Sequence, residues 1–263
     1  MGQLDLGRGR HVCWVVDDDS VYDQRAAAFL CARRDLEQKR VAFGRDGSRS
    51  LQMLERDADL AADPRLAFLD GGTLDAERMF AGFRRHSALA RAEGHTGLRV
   101  VADMDWLLAA EATPETVIGF ELLLDRLIVE LDATVVCAYR RRSFEPRAIS
   151  GFRSVHPLHV GCEEPPAFSI VAAPEGTWRL FGEVDAPAAL NLAAALSAVP
   201  DSPCVIDVSG LEFIDVAGMR TIAEHARTRG CAVELRHARA SVARYWRLSG
   251  FDEYAPTVRI DVR

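Results

Sequence analysis

Residues 205–219 read VIDVSGLEFIDVAGM, and this stretch decides how the second half of the chain folds. The run 204–208 is short, apolar and rich in β-branched residues, which predicts a buried strand. Apolar residues then recur at helical spacing over 216–227, which predicts a helix. Asp215 directly precedes that helix and is suited to cap it, because a carboxylate accepts hydrogen bonds from the free N–H groups of a first turn. Gly218 leaves the backbone of that turn accessible, so we expect a helix N-terminus that a partner can contact.

The sequence on both sides of this stretch predicts a small α/β unit. Two short apolar runs lie upstream, and the turn residues Pro174, Glu175 and Gly176 between them predict a hairpin. Helical and strand patterns also alternate after residue 186, as expected of an α/β unit. The predicted strands are 168–173, 177–182, 232–235 and 258–262, and the predicted helices are 187–199 and 241–249.

The first half of the chain alternates buried-strand patterns with amphipathic helices, which predicts a parallel sheet covered by helices. Pro165 and Pro166 cannot continue a helix or a central strand, so we expect a linker there and place the domains at 1–160 and 161–263. The strand patterns are 11–16, 40–43 and 134–139, with further apolar runs at 66–69 and 98–102, and the helical patterns are 21–38, 75–92 and 114–131.

Composition excludes several classes of protein. The chain has 263 residues, of which 49% are hydrophobic and 27% charged, so it can bury a core and is not disordered as a whole. A net charge of -7 argues against a nucleic-acid-binding surface. The sequence contains no apolar run long enough to cross a membrane and no secretion signal near its start. No two of the six cysteines are spaced as CxxC, so we expect reduced thiols in a cytoplasmic protein.

Three motifs in the second half resemble STAS domains, the fold of anti-sigma-factor antagonists. Residues 205–219 are similar to the central motif of that family, 180–185 (LFGEVD) to its preceding strand end, and 244–251 (RYWRLSGF) to its C-terminal helix. The resemblance implies a small α/β STAS domain that binds an anti-sigma factor or a switch kinase. The partner-binding residues that it implies are Asp185, Asp215, Val216, Ala217, Gly218 and Met219.

The chain departs from this family at one position. In antagonists of the STAS family, the first residue of the helix is a serine that an anti-sigma kinase phosphorylates. Val216 stands there and is followed by Ala217, and neither side chain has a hydroxyl group. Phosphorylation therefore cannot act at the usual place. Either partner binding is constitutive or controlled by the first domain, or the phosphate goes to another hydroxyl, with Ser209 and Thr221 as the nearest candidates.

Five blocks in the first half resemble the MEDS sensory domain, which is similar to RecA/KaiC-type ATPase cores. They are 11–13 (HVC), 97–106 (GLRVVADMDW), 120–121 (FE), 137–139 (CAY) and 156–157 (HP). The resemblance implies a central, mostly parallel sheet and a role in sensing rather than in nucleotide hydrolysis. The pairing with a STAS domain implies a regulator of sigma-factor activity that does not itself touch DNA.

The residues after the first strand argue against nucleotide chemistry. A phosphate-binding loop needs glycines and a lysine there, but residues 17–24 read DDDSVYDQ, whose acids repel phosphate. Asp103 and Asp105 follow a strand as the acids of an ATPase would, yet they lack that cradle. We therefore expect no enzymatic activity, with a degenerate nucleotide-binding protein as the alternative. The three arginines 140–142 are expected to form a solvated turn, because the chain is acidic overall.

A group of histidines and cysteines in the first half is the candidate sensor site. His11, Cys13, Cys137 and His156 combine imidazole and thiol groups that Zn²⁺ accepts as ligands. Three interpretations stay open for them: a metal site, the lining of a small-molecule pocket, or plain core. The aromatic and acidic residues expected to line the same pocket are Trp106, Glu121 and Tyr139.

These observations predict a regulatory binding protein. Its first domain senses a small ligand, a metal or a redox state, and its second domain binds an anti-sigma factor or a switch kinase. The other classes considered are a scaffold subunit of a stress-sensing assembly and the degenerate ATPase. A homodimer is compatible with all of them, and the sensed signal is not encoded in any motif.

Overall fold

Six parallel strands form the first β-sheet of the computed structural model, which describes residues 6–69, 72–173, 176–200 and 203–263. The strand order is β3-β2-β4-β5-β1-β6. The strands are β1 (Arg10–Val16), β2 (Lys39–Phe43), β3 (Leu60–Ala62), β4 (Leu98–Asp103), β5 (Thr134–Arg140) and β6 (Leu158–Val160). The helices between them are α1 (Asp19–Cys31), α2 (Arg49–Leu54), α3 (Pro64–Phe68), α4 (Ala76–Ala92), α5 (Trp106–Ala109), α6 (Pro114–Leu131) and α7 (Pro146–Ser154). The parallel α/β sheet expected from the strand-helix alternation is confirmed.

One face of this sheet carries an apolar cluster that packs against helix α1. The cluster on that face contains Val12, Trp14, Val16, Val136 and Ala138 of the strands and Tyr22, Ala26, Phe29 and Leu30 of α1. Successive side chains of a strand point to opposite faces. His11, Cys13 and Cys137 therefore lie on the other face of the sheet.

The structure corrects two of the expected elements in the first half. Helix α1 ends at Cys31 instead of reaching residue 38, because Arg33 and Glu37 adopt positive φ angles that a helix does not allow. The apolar run 66–69 belongs to helix α3, where the Asp63 side chain caps the first turn and proline occupies its first position. Strands β3 and β6, three residues each, were not predicted because such short runs show no periodicity.

The second sheet is mixed and has the order β11-β10-β9-β8-β7. Strands β7 and β8 form the predicted antiparallel hairpin, whose turn residues Pro174 and Glu175 lie outside the described residues, while the other pairs are parallel. The elements are β7 (Phe168–Ala172), β8 (Trp178–Val184), α8 (Ala186–Ala198), β9 (Cys204–Ile214), α9 (Val216–Arg229), β10 (Val233–Ala238), α10 (Ala240–Leu248), α11 (Phe251–Tyr254) and β11 (Val258–Val262).

Strand β9 continues to Ile214, well beyond the predicted end at residue 208. Gly210 permits this extension, because a Cβ there would lie 2.7 Å from the Cβ of Phe181 on the neighbouring strand. The long strand carries the chain directly to the N-terminus of α9. In the part of the chain that the structure describes, no helix is both long and apolar enough to cross a membrane.

Candidate functional site

Strands β1 and β5 are neighbours and bring together an imidazole and a thiol. Cys13 and Cys137 are register partners, and His11 lies two residues before Cys13 on the same face. The Nε2 atom of His11 lies 3.7 Å from the Sγ atom of Cys137. Both side chains are buried. The strand pairing therefore holds a nitrogen and a sulfur donor side by side in the interior.

Helix α6 and the turn after helix α7 contribute a second pair, Glu121 and His156. The Nε2 atom of His156 lies 3.5 Å from a carboxylate oxygen of Glu121, and both side chains have no exposed surface. The other ring nitrogen of His156, Nδ1, lies 2.6 Å from the backbone oxygen of Phe152. A carbonyl oxygen only accepts hydrogen bonds, so Nδ1 carries the proton of that bond. Nε2 therefore faces the carboxylate.

The two pairs differ in their donor atoms. His11 and Cys137 place an imidazole beside a thiol, and His156 and Glu121 place an imidazole beside a carboxylate. Glu121 was expected to line a pocket, and the structure places it beside His156. A signal for this contact existed, since an acid on the apolar face of α6 is a buried charge that needs a partner.

The other residues expected near this site are Cys13, Trp106 and Tyr139, and all three are buried. Trp106 begins α5, and the ring of Tyr139 packs edge-on against Phe144 at 5.5 Å between centroids. A cavity of about 400 Å³ lies instead where strands β2 and β4 begin, lined by residues such as Gln38 and Arg99.

The acidic turn after β1 forms ion pairs with the three arginines at the end of β5, 140–142. Arg141 donates to Asp17 at 2.6 Å, and Arg142 and Arg140 both donate to Asp19, at 2.7 and 2.8 Å. The expectation of a solvated turn is therefore wrong for Arg140, whose side chain is buried, and correct for the other two. The acids and the arginines are far apart in the sequence, and their complementary charges were a usable signal for this contact.

The side chain of Arg140 also contacts residues at the carboxyl end of the neighbouring strand β4. It forms an ion pair with Asp103, lies 3.3 Å from an oxygen of Asp105 and donates to the Ser50 hydroxyl at 2.9 Å. Burial raises the pKa of Asp103, although the guanidinium opposes this shift. Burial alone would lower the pKa of Arg140, but the surrounding carboxylates outweigh it and raise that pKa. The acids that an ATPase would present to a nucleotide are thus engaged by an arginine.

In the second unit, two aspartates cap neighbouring helices. Val184 and Ile214 are partners on strands β8 and β9, so the residues that follow them begin α8 and α9 side by side. Asp185 accepts a hydrogen bond from the backbone N–H of Ala188 at 3.0 Å, and Asp215 accepts one from Gly218 at 2.9 Å. The predicted capping of α9 is confirmed.

Both parts of the chain match known protein families. A family model described as "MEthanogen/methylotroph, DcmR Sensory domain", abbreviated MEDS, matches residues 10–157. The chain belongs to the MEDS family. A second family model, described as "Mlab, STAS domain", matches residues 172–260. A comparison with curated proteins finds no match.

Both domain types are regulatory and typically not catalytic, which supports an anti-sigma-factor-antagonist-like regulator with a sensory domain. The residues of the two buried pairs, His11 with Cys137 and Glu121 with His156, all fall within the MEDS match. Both capping aspartates fall within the STAS match. The fusion of the two domains expected from the motifs is confirmed.

The STAS residues expected to bind a partner divide into exposed and buried ones. Asp185, Val216 and the partly exposed Asp215 and Ala217 reach the surface. Gly218 and Met219 are buried beneath this surface, and the Met219 side chain does not reach a partner. A Cβ at position 218 would lie 2.8 Å from side-chain atoms of Ile214 and Val184, which explains the glycine.

The alternative phosphate acceptors are both half-buried. The hydroxyl of Thr221 donates to the backbone oxygen of Ala217, one turn earlier in α9, at 3.1 Å. Ser209 lies on β9, and its N–H donates to the Asp207 carboxylate at 2.8 Å. Partial burial would raise the pKa of Asp207, but hydrogen bonds from Ser209 and His237 lower it. A phosphate on Ser209 would therefore face an ionised carboxylate.

Proposed function

We propose that this protein regulates sigma-factor activity by binding an anti-sigma factor or a switch kinase through its STAS domain, under control of the MEDS domain. The binding region is the cap surface, which we define as Asp185, Phe213, Asp215 and Val216. Binding takes place without a phosphate at the first position of α9. The MEDS domain changes the affinity in response to a small ligand, a metal or a redox state.

One observation supports this proposal above the others, namely the exposure of apolar side chains beside the capped helix. Val216 is 50% exposed and Phe213 is 51% exposed, and both flank the cap Asp215. Exposed apolar groups with charged neighbours are typical of protein-binding surfaces. The carboxylates of Asp185 and Asp215 add negative charge, so the partner surface that fits is apolar with basic residues at its edge.

The test measures binding of the full chain to purified switch kinases and anti-sigma factors of the same organism by calorimetry. We expect one of them to bind the unmodified protein. Val216→Glu places a negative charge where a phosphate would otherwise appear and should weaken that complex at least about tenfold. Leu248→Glu is the control, because Leu248 is 71% exposed on α10, outside the cap surface, and should leave affinity unchanged.

Two results would contradict the proposal. One is the failure of every switch kinase and anti-sigma factor to bind. The other is equal loss of affinity in the Val216→Glu and Leu248→Glu variants, which would place the contact elsewhere. Mass spectrometry after incubation with kinase and ATP tests for phosphate at other hydroxyls, and phosphate on Ser209 or Thr221 that alters affinity would contradict control by the MEDS domain alone.

A further inference from the structure

We propose that the cavity at the start of strands β2 and β4 binds a small zwitterion with one carboxylate and one amine group, as amino acids have. Its volume is about 400 Å³, and its lining residues, which lie between positions 30 and 99, belong to the MEDS domain. This inference goes beyond the proposed function and does not depend on it, because binding is measured on the chain without a partner. It rests on a buried amide, on the charges around it and on a constrained loop.

The position of the cavity separates it from the acidic end of the sheet. Residues from the end of α1, the start of β2 and the segment after α4 line it, together with Arg99 near the start of β4. Asp103 lies at the other end of β4. A molecule in the cavity therefore does not meet the acids that an ATPase would present to a nucleotide. The volume falls within the range of small-molecule pockets, about 300–1,000 Å³.

A buried amide in the cavity lining has an acceptor that the chain does not use. Gln38 is 6% exposed, and its Nε2 donates to the backbone oxygens of Leu98 at 3.1 Å and Asp132 at 3.3 Å. Carbonyl oxygens only accept hydrogen bonds, so these two contacts fix which arm of the amide is nitrogen and which is oxygen. Within the described part of the chain, Oε1 accepts no hydrogen bond. A buried acceptor of this kind needs a donor, which the amine group of a zwitterion supplies.

A buried positive charge lines the same cavity. Arg99 is 1% exposed, and its Cζ atom lies 3.9 Å from the centroid of the Phe29 ring. Its Nε donates to the backbone oxygen of Phe29 at 2.8 Å. These contacts hold the guanidinium in a fixed position. In the low dielectric of the interior, its charge attracts a carboxylate more strongly than a surface arginine does, which favours an acid group in the ligand.

The acidic residues of the cavity lie nearer the surface. Glu37 and Glu93 are exposed, and Glu93 pairs with Lys39 at 2.5 Å, a surface ion pair of low strength. Asp59 is bound by the guanidinium of Arg40 at 2.6 and 3.1 Å, so this pair adds little net charge. A simple anion would be repelled by the exposed acids. A ligand with charges of both signs matches the acids with its ammonium and the buried guanidinium with its carboxylate.

The loop that leads to Gln38 is held in an unusual conformation. Arg33 and Glu37 both line the cavity and adopt φ angles of 49° and 51°. Such angles are uncommon outside glycine and persist where surrounding contacts fix them, often at ligand sites. One such contact is the hydrogen bond from the Thr96 N–H to the backbone oxygen of Glu37, at 3.0 Å. The cavity wall is therefore preformed, as is usual for small-molecule sites.

The experiment measures the thermal midpoint of the full chain with each proteinogenic L-amino acid in turn. We expect at least one of them to raise the midpoint, because a ligand that binds only the folded chain stabilises it. Calorimetry then compares this amino acid with its α-hydroxy acid, which lacks the ammonium group, and with its primary amide, which lacks the carboxylate. Each analogue should bind at least about tenfold more weakly, because each loses one charged contact.

Two pairs of variants place the binding in this cavity. Glu93→Gln removes an acid of the lining and should weaken binding at least about threefold, whereas Glu130→Gln, at an equally exposed acid paired with an arginine elsewhere, should not. Ala32→Phe adds a ring to the cavity wall at extended backbone angles and should abolish binding. Ala112→Phe is its control, because Ala112 is also partly buried but does not line the cavity.

Three results would overturn the proposal. The first is that no amino acid raises the thermal midpoint, which would leave the cavity filled with water. The second is equal affinity for the amino acid and its α-hydroxy acid, which would make the ligand a simple organic acid. The third is undiminished binding by Ala32→Phe, which would place the amino acid elsewhere on the chain. None of these results bears on whether the STAS domain binds its partner.

Discussion

The side chain of Asp215 has two separable roles at the start of α9, a structural cap and a charge on the cap surface. Asp215→Ala removes the hydrogen bond to the Gly218 N–H and should lower the free energy of unfolding of the STAS domain by about 1 kcal/mol. Asp215→Asn should restore that stability, because asparagine caps about as well as aspartate. Chemical denaturation of both variants measures the difference.

The same two variants separate capping from partner contact. If the charge of Asp215 contributes to binding, Asp215→Asn has normal stability but weaker affinity for the anti-sigma factor or switch kinase. Equal stability of the alanine variant and wild type would show that the backbone hydrogen bond contributes nothing to the fold.

Val216 illustrates how far a single residue limits regulation. A valine at the first position of α9 cannot carry phosphate, and its exposure leaves an apolar contact in place of a switch. Control of partner binding must then come from another residue or from the MEDS domain. The Val216→Glu variant therefore tests directly whether this side chain contacts the partner.

At the scale of elements, Arg140 joins the turn before α1 to the ends of strands β4 and β5. Arg140→Met leaves the buried carboxylate of Asp103 without its cation and should destabilise the MEDS domain by about 3 kcal/mol near neutral pH. Arg141→Met is the matched control, because its pair with Asp17 is exposed and should contribute less than about 1 kcal/mol.

The pH dependence of Arg140→Met has a definite sign. Burial already raises the pKa of Asp103 in the folded chain. Stability is therefore lost as the pH rises above the pKa that Asp103 has in the unfolded chain, because the carboxyl group must then ionise in the interior. Without the guanidinium this pKa rises further. The loss of stability in the variant should therefore grow from about pH 4 to pH 8, as followed by denaturation at several pH values. A loss that is constant or largest in acid would contradict this account.

At the scale of the whole molecule, control of the STAS domain by the MEDS domain predicts linkage between signal and partner. If the signal is a metal, chains with added Zn²⁺ and chelator-treated chains should differ in partner affinity by about fivefold or more, and the partner should change Zn²⁺ affinity by the same factor. Calorimetry on both forms measures each side of this cycle. Equal affinities would contradict a metal signal and require a small ligand or a redox state instead.

Many features of this protein were predictable because they depend on neighbouring residues. Strand and helix periodicity, the caps at Asp185 and Asp215 and the motifs of both domains are local patterns. They predicted the α/β fold of each unit and the start of α9. Expectations failed at the end of α1, where Arg33 and Glu37 adopt positive φ angles, and at the run 66–69, where a cap and a proline begin helix α3.

The sequence by itself therefore determined the two families, the order of the elements and the missing hydroxyl at Val216. Only the tertiary structure decided which polar side chains meet. Glu121 lies beside His156, and Arg140 is buried among carboxylates. The reason is physical: strand register and helix packing bring together atoms from distant segments, and residue spacing along the chain does not encode that convergence.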